Sequence, residues 1–494
     1  MNVVARQSIK YSIVGYISVF VGIFSTLFIY PNDLIFAGKL QFLIPTAMLI
    51  LPLLTVGIIL ANVRFFSRLS KINEHHNLLK FSFRFISINF LILIFIVFAG
   101  SFLFPGFKKT TFWNMSFYIF AMAILLAYIQ LISRYLSIKN RIVVPNIFEN
   151  VFPKIGIITA FILYYYFGFS EKNAMLVFLL FFVLALAGMF VYLLKIDTIS
   201  FKTSFQFLKK DGFKKELLTY SYYTFFGSLG AVLALNIDTF MIGEFLSFSE
   251  VTIYNMSLNL VKMIMVPALG VYTISSPKIA VFIENNDMDQ LKNLYKKTSL
   301  YLFIVGALFF SMIAVGIDDL FLIIKNGNVL SKGKNVFYIM GFALLLDLAT
   351  GFNTYIIINS KYFKFNNYLT VGLAVLTIVT NLIFIFIFKL GIIGVAIATA
   401  FSLTVYNIVK TAFNFKKFGI HPFSFQYLYI IGFVLFCLLL SFLLPDLENN
   451  YFNLFYKPVL VFLLFILVNF IFKIISVKDI IPKKIKYWFS NDIP

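Results

Sequence analysis

Apolar stretches of about 20 residues, separated by short polar segments, run through the whole sequence. A helix needs about 20 consecutive apolar residues to cross the hydrocarbon core of a bilayer. The pattern therefore predicts an all-α polytopic membrane protein with fourteen transmembrane helices, near residues 11–29, 40–61, 84–104, 112–133, 142–167, 174–194, 217–240, 251–275, 298–317, 335–358, 366–388, 391–412, 424–444 and 455–475.

A polar, lysine-rich segment at 195–216 separates the first six predicted spans from the next six. We predict an N-terminal six-helix lobe at 1–210, a second six-helix lobe at 211–415, and two additional helices with a basic tail at 416–494. Because each lobe has an even number of helices, the two lobes are expected to be parallel repeats, as in transporters that rock one bundle against the other.

Composition and charge agree with this topology. The chain is 61% hydrophobic and 12% charged, whereas soluble domains have about a quarter charged residues, so a soluble enzyme is excluded. Short loops rich in Lys and Arg stay in the cytoplasm. With the N-terminus inside, 30 of the 41 Lys and Arg residues fall on the cytoplasmic side. The net charge of +21 thus indicates membrane orientation, with both termini cytoplasmic, and implies no nucleic acid.

Two segments on the cytoplasmic side, 64–80 and 200–215, combine aromatic and basic residues. We expect them to lie at the interface, with Phe65, Phe66 and Phe207 among the side chains that face the acyl chains. The longest outer loop, 318–334, is too short for a catalytic domain. Its acidic pair, Asp318 and Asp319, is misplaced for the metal-binding dyad of a membrane glycosyltransferase.

Few residues offer cofactor or catalytic chemistry. Cys437 is the sole cysteine, which excludes an intramolecular disulfide. The three histidines, His75, His76 and His421, are too few and too scattered along the chain to predict a zinc site. A phosphate-binding GxxxxGK loop is also missing from the sequence, so we expect no ATP hydrolysis and no resident cofactor.

Polar residues within spans are the candidate functional residues, because a mid-span charge costs about 2.5–3.5 kcal/mol unless it has a partner or a watery cavity. In span eight, Asn255, Asn259 and Lys262 are spaced to share one helix face. We predict that they bind substrate, with Lys262 holding an anionic group near the bilayer centre. The alternative is a structural ion pair between Lys262 and Asp238 of span seven.

Two further spans carry ionisable residues. In span five, Lys154 forms an i, i+4 pair with Asn150, and Glu149 is either an ion-coupling site or a buried carboxylate with a basic partner. In span ten, Asp347 is either a coupling carboxylate or a helix-to-helix hydrogen-bond partner. Asp238 is a third coupling candidate. Arg6 and Arg64 lie at the cytoplasmic mouth, where a guanidinium can bind phosphate or simply fix orientation.

Several motifs resemble those of polysaccharide flippases of the multidrug/oligosaccharidyl-lipid/polysaccharide (MOP) exporter superfamily. The clearest is the small-residue run at 391–402, which follows Asn381 and precedes Tyr406. The others are Arg6-Gln7-Ser8, Phe36-Ala37-Gly38, 236–243, 251–255, Pro267, Pro277-Lys278-Ile279 and the basic segment 410–417.

This resemblance implies two six-helix lobes that alternate between inward-open and outward-open states. The implied function is transfer of an undecaprenyl-pyrophosphate-linked oligosaccharide, an O-antigen or capsule/exopolysaccharide repeat unit, to the outer leaflet of a bacterial cytoplasmic membrane. It further implies cavity cations that bind pyrophosphate, here Lys262 with Arg6, Arg64 and Lys154, and coupling to H⁺ or Na⁺. A polysaccharide polymerase and glycosyltransferases would be partners.

Two rival functions remain open from the sequence. A multidrug or cation antiporter of the same superfamily usually has twelve spans and acidic cavity residues, whereas this chain has fourteen predicted spans and Lys262. A polytopic glycan polymerase or ligase generally has a long outer loop, which the predicted topology lacks.

Overall fold

The computed structural model describes residues 3–198, 204–209 and 212–472. The regular elements in these ranges are helices. The α-helices are α1 (Val3–Phe24), α2 (Leu34–Thr55), α3 (Ile58–Ser70), α4 (His75–Leu103), α5 (Thr111–Asn114), α6 (Ser116–Ile138), α7 (Val143–Asn146), α8 (Phe152–Tyr165), α9 (Glu171–Ile196), α10 (Phe213–Phe245), α11 (Phe248–Glu284), α12 (Met288–Ile323), α13 (Gly327–Leu330), α14 (Lys334–Thr350), α15 (Asn353–Ile358), α16 (Phe363–Leu382), α17 (Gly391–Phe418), α18 (Gln426–Leu443) and α19 (Asn450–Phe472).

The helices confirm an all-α membrane protein. In the described ranges, thirteen helical segments are long and apolar enough to cross a bilayer, and the two halves of α11, Phe248–Val266 and Gly270–Glu284, bring the number to fourteen if they form one span. These halves meet at an angle of 43°. Short π-helical segments, Ser25–Ile29, Ile147–Val151 and Ile383–Ile387, interrupt or extend three other spans.

The second span begins and ends earlier than the sequence pattern predicted. An Asp33 side chain caps its first turn, and the helix stops at Thr55 because Val56 and Gly57 take positive φ angles of 41° and 76°. Gly57 is required at this break: a Cβ here would lie 2.2 Å from the Ser221 carbonyl oxygen. The chain then continues as the amphipathic helix α3, which contains the first part of the segment at 64–80; its interfacial location stays a prediction.

The predicted orientation of the aromatic side chains in these interfacial segments is partly wrong. Phe65 and Phe207 are 4% and 1% exposed, and both rings pack against Phe213 of α10. Protein rather than lipid therefore covers them, because α10 begins beside these segments. Residues 200–203, 210 and 211 of the second segment lie outside the described part of the chain.

The chain divides into two compact units, each with its own core. Unit 1 comprises Met1–Asn259 and Tyr362–Tyr406, and unit 2 comprises Leu260–Lys361 and Asn407–Pro494. In unit 1, α2 packs against α6 and α10, α10 packs against α16, and α9 packs against α6 and α8. In unit 2, α12 packs against α14, α18 and α19. The division into lobes at 1–210, 211–415 and 416–494 stays a prediction.

Candidate functional site

A buried carboxylate lies at the centre of a polar cluster in unit 1. Asp238 of α10 is 7% exposed. Its Oδ2 accepts hydrogen bonds from the Tyr254 hydroxyl of α11 and the Thr399 hydroxyl of α17, each at 2.7 Å. Its Oδ1 accepts a hydrogen bond from the Asn381 amide of α16 at 2.8 Å. Four helices of unit 1 therefore meet at this one side chain, which we call the Asp238 cluster (Asp238, Tyr254, Asn381, Thr399).

The donors around Asp238 are neutral, which bears on what the cluster can bind. A buried carboxylate needs either a cation or a proton to balance its charge. The amide oxygen of Asn381 is buried and has no hydrogen-bond partner among the described residues. Carboxylate, amide and hydroxyl oxygens are the ligands that hard cations prefer. The Asp238 cluster can thus hold a proton, or a small cation if the hydroxyl and amide groups rotate so that their oxygens face it.

The two asparagines of α11 are held by other helices of unit 1. Asn255 accepts a hydrogen bond from the Thr239 hydroxyl at 3.2 Å, and Asn259 donates one to Thr26 at 2.9 Å. Both residues are only partly exposed. Their amides fix the position of α11, and their role in substrate binding stays a prediction.

Lys262, one helical turn further along α11, belongs to unit 2. Its side chain is exposed. The ion pairs among the described residues do not include Lys262. Asp238 is instead held by the three neutral donors. The role of Lys262 in substrate binding stays a prediction.

The other predicted cations occupy different surroundings in unit 1. The Lys154 ammonium donates to the Ser18 carbonyl oxygen and lies beside Gly22, so it joins α8 to α1. Arg64 is exposed and lines a cavity of about 500 Å³ together with Lys215. Arg6 is part of α1, but its side chain lies outside the described residues.

The two remaining coupling candidates both have polar neighbours. Glu149 hydrogen-bonds Ser133 and lies near Arg134, which is the basic partner of the structural alternative. Asp347 of unit 2 lies within electrostatic range of the Lys410 ammonium. Their roles as coupling sites stay predictions.

Lys410 is a residue whose position sequence reasoning missed, because we counted it with the basic segment after span twelve. Helix α17 continues past it to Phe418, and Lys410 is only 3% exposed. Its ammonium donates to Thr354 of α15 at 3.1 Å. The signal in the sequence was the helical spacing of Asn407, Lys410 and Asn414, which places three polar side chains on one face.

Lysines pair with both members of the acidic pair Asp318 and Asp319. Asp318 pairs with Lys334 at 2.6 Å. Asp319 pairs with Lys457 at 2.7 Å, with side chains only 3% and 5% exposed. Lys457 also reaches the exposed Asp446 at 2.7 Å. Within unit 2, the buried Asp319–Lys457 pair joins α12 to α19, and the exposed Asp318 contacts the first residue of α14.

No protein-family model matches the chain, and no curated protein matches it by sequence. Solved structures do match it. The lipid II flippase MurJ, in an inward closed conformation, is 16% identical with a TM-score of 0.68, covering 92% of this chain and 98% of MurJ. An inward-facing multidrug resistance MATE family transporter of the MOP superfamily is 16% identical with a TM-score of 0.56, covering 81% and 94%.

The Vibrio cholerae MATE transporter VcmN is 13% identical with a TM-score of 0.55, covering 83% of this chain and 96% of that protein. Flippase and drug transporter thus share one helical architecture with this chain. The chain has the fold of the MOP exporters, the fold that MurJ and the MATE transporters share.

Proposed function

We propose that this protein is a flippase, a transporter rather than an enzyme, for an undecaprenyl-pyrophosphate-linked oligosaccharide. Its cargo is an O-antigen or capsule/exopolysaccharide repeat unit, which it moves from the inner to the outer leaflet of a bacterial cytoplasmic membrane by alternating access. The observation that carries the proposal is the likeness to a lipid II flippase over 92% of this chain. The two MATE transporters described above match 81% and 83% of this chain.

The chemistry of the cargo explains the need for a cation inside the membrane. A pyrophosphate with attached sugars cannot cross hydrocarbon unaided, because burying its charges costs many kcal/mol. A lysine in a span is itself costly, about 2.5–3.5 kcal/mol, and an anionic ligand offsets this cost. Lys262 is exposed and without an ion-pair partner among the described residues, so in this proposal it binds the pyrophosphate.

Energy for the cycle comes, in this proposal, from an H⁺ or Na⁺ gradient acting at the Asp238 cluster. The carboxylate is buried, and its hydrogen-bond donors among the described residues are neutral groups from three other helices. Binding or release of a cation there changes how strongly α10, α11, α16 and α17 are held together. A ligand can bias two conformations only through such differential contacts.

Reconstituted vesicles test the proposal. The purified chain is placed in liposomes that contain a fluorescent undecaprenyl-pyrophosphate trisaccharide, and a membrane-impermeant quencher reports the outer-leaflet fraction. We expect quenching of both leaflets with the protein and of one leaflet without it. Quenching of only one leaflet in the presence of folded protein, under both H⁺ and Na⁺ gradients, would overturn the proposal.

The second candidate function is multidrug or cation export. The MATE likeness and the buried acidic residue Asp238 favour it. The same vesicles discriminate between the two functions: gradient-driven uptake of a cationic dye, with no movement of the lipid-linked sugar, would replace flipping by drug export. A glycan polymerase or ligase would instead lengthen the sugar, which chromatography of the extracted lipid detects.

A further inference from the structure

Two histidines and an aspartate that are far apart in the sequence meet in unit 1. His75 and His76 begin α4, and Asp197 directly follows α9. The imidazole rings of the two histidines are 4.0 Å apart, and His76 Nε2 lies 3.0 Å from Asp197 Oδ2. One potential ligand atom from each of the three residues lies within 4.8 Å of the other two. All three are partly buried.

The cluster lies at the ends of spans on one membrane face. His75 begins the third span, and Asp197 follows the sixth, so an even number of crossings separates each of them from the N-terminus. Tyr135 and Lys139, at the end of the fourth span, complete the group. Tyr135 donates to Asp197 Oδ2 at 2.6 Å, and the Lys139 ammonium lies 2.5 Å from the same oxygen.

Two imidazole nitrogens of the cluster are buried and have no hydrogen-bond partner in the part of the chain that the structure describes. They are His75 Nδ1 and His76 Nε2, the latter close to Asp197 but without hydrogen-bond geometry. Leaving a buried polar atom unpaired costs about 1–3 kcal/mol, and binding of an ion is one established way in which such atoms are satisfied. We propose that His75, His76 and Asp197 form a site for a divalent transition metal.

The chemistry of the three ligands limits which metal ions the site can bind. Two imidazoles and one carboxylate suit Zn²⁺, Ni²⁺ or Co²⁺, whereas Mg²⁺ and Ca²⁺ prefer oxygen ligands alone. Three protein ligands leave room for water in the fourth position of a tetrahedral Zn²⁺ site. An ion here ties the start of α4 to the end of α9.

Lys139 competes with the metal for the carboxylate. An ammonium and a divalent cation repel each other, so the metal displaces Lys139 from Asp197 Oδ2. The Lys139 side chain is 25% exposed, which gives it a path to solvent. Removing the ammonium should therefore tighten metal binding. If the three residues and Lys139 form only an ion-pair network, removing Lys139 leaves Asp197 with one partner fewer and does not increase the affinity for a metal.

The test uses the full chain in detergent, purified with a tag that contains no histidine and stripped of metal by a chelator. Zn²⁺ alone is titrated while calorimetry records binding, and Co²⁺ alone is titrated while its visible absorption reports coordination. We expect one ion per chain. His75→Ala and His76→Ala should each weaken binding about tenfold or more, and His421→Ala, which changes the third histidine, should leave it unchanged.

Two further variants complete the test. Lys139→Met should bind Zn²⁺ more tightly than the parent protein, and unchanged or weaker binding would overturn the proposed position of the ion. His76→Gln replaces His76→Ala if the alanine variant does not fold. The proposal fails if the parent chain binds no stoichiometric Zn²⁺, or if the His75 and His76 variants bind it as tightly as the parent. These binding measurements do not depend on transport and therefore stand apart from the proposed flippase function.

Discussion

Asn381 and Asp238 are 143 residues apart in the sequence, and their side chains form a buried hydrogen bond of 2.8 Å. This contact joins α16 to α10 inside unit 1. Asp238 receives its two other hydrogen bonds from hydroxyl groups of Tyr254 and Thr399. A carboxylate held only by neutral groups is sensitive to any cation that reaches it, which makes Asp238 the most direct target for testing ion coupling.

Replacing Asp238 by asparagine removes the charge and keeps the size of the side chain. We predict that Asp238→Asn lowers the rate of gradient-driven transport by about 5- to 150-fold, the factor that corresponds to typical coupling free energies. Transport in vesicles with and without an imposed H⁺ or Na⁺ gradient measures this loss. Asp318→Asn is the control, because Asp318 is 65% exposed. Full gradient-driven transport by Asp238→Asn would exclude Asp238 as the coupling site.

The ion pair between Lys457 and Asp319 is the clearest target for a stability measurement. We predict that Lys457→Met lowers the free energy of unfolding by about 3–5 kcal/mol, because it leaves Asp319 charged and buried. Asp446→Ala should cost only about 0–1 kcal/mol, because Asp446 is 80% exposed. Unfolding in detergent, followed by circular dichroism, provides the comparison.

A double variant separates the pair from its packing. Asp319→Leu combined with Lys457→Met should recover most of the lost stability, because an apolar pair can replace a buried ion pair at little cost. If the double variant is as unstable as Lys457→Met alone, the loss does not come from the unpaired aspartate.

Gly38 of α2 is required by a close helix contact in unit 1. A Cβ at this position would lie 1.8 Å from the carbonyl oxygen of Phe248. We predict that Gly38→Ala destabilises the protein by about 1–3 kcal/mol, because α2 must move away from α11. Gly100→Ala is the matched control: its Cβ would meet nothing within 4 Å, and alanine favours the helix by about 0.5–1 kcal/mol. Equal stability of the two variants would contradict this account.

The fold was predictable because its main determinant, the length of apolar runs, is local. The ends of the helices were less predictable. Thr55 ends α2 because the following residues adopt left-handed conformations, and no apolar pattern encodes this. The prediction that Phe207 lies at the lipid interface was wrong because its burial depends on Phe213 at the start of α10, a contact that the local pattern does not reveal.

The candidate site was predictable only as a set of costly polar residues. Asp238 was singled out, but its partners Asn381 and Thr399 come from distant spans. Lys410 was assigned to a basic segment because positive charges near span ends usually mark orientation, whereas the structure buries it. His75 and His76 had no visible third ligand, since Asp197 lies more than a hundred residues further along the chain.

The central claim is that the Lys262 ammonium of α11 binds the phosphate groups of a lipid that the protein moves across the membrane. The most direct measurement compares Lys262→Ala with the control Lys278→Ala, an exposed lysine on the same helix, in a strain that depends on this protein for surface glycan. Protein abundance is monitored alongside. We predict that Lys262→Ala abolishes surface glycan at normal abundance, that Lys262→Arg retains part of it, and that Lys278→Ala is unaffected. Normal surface glycan in the Lys262→Ala strain would contradict the claim.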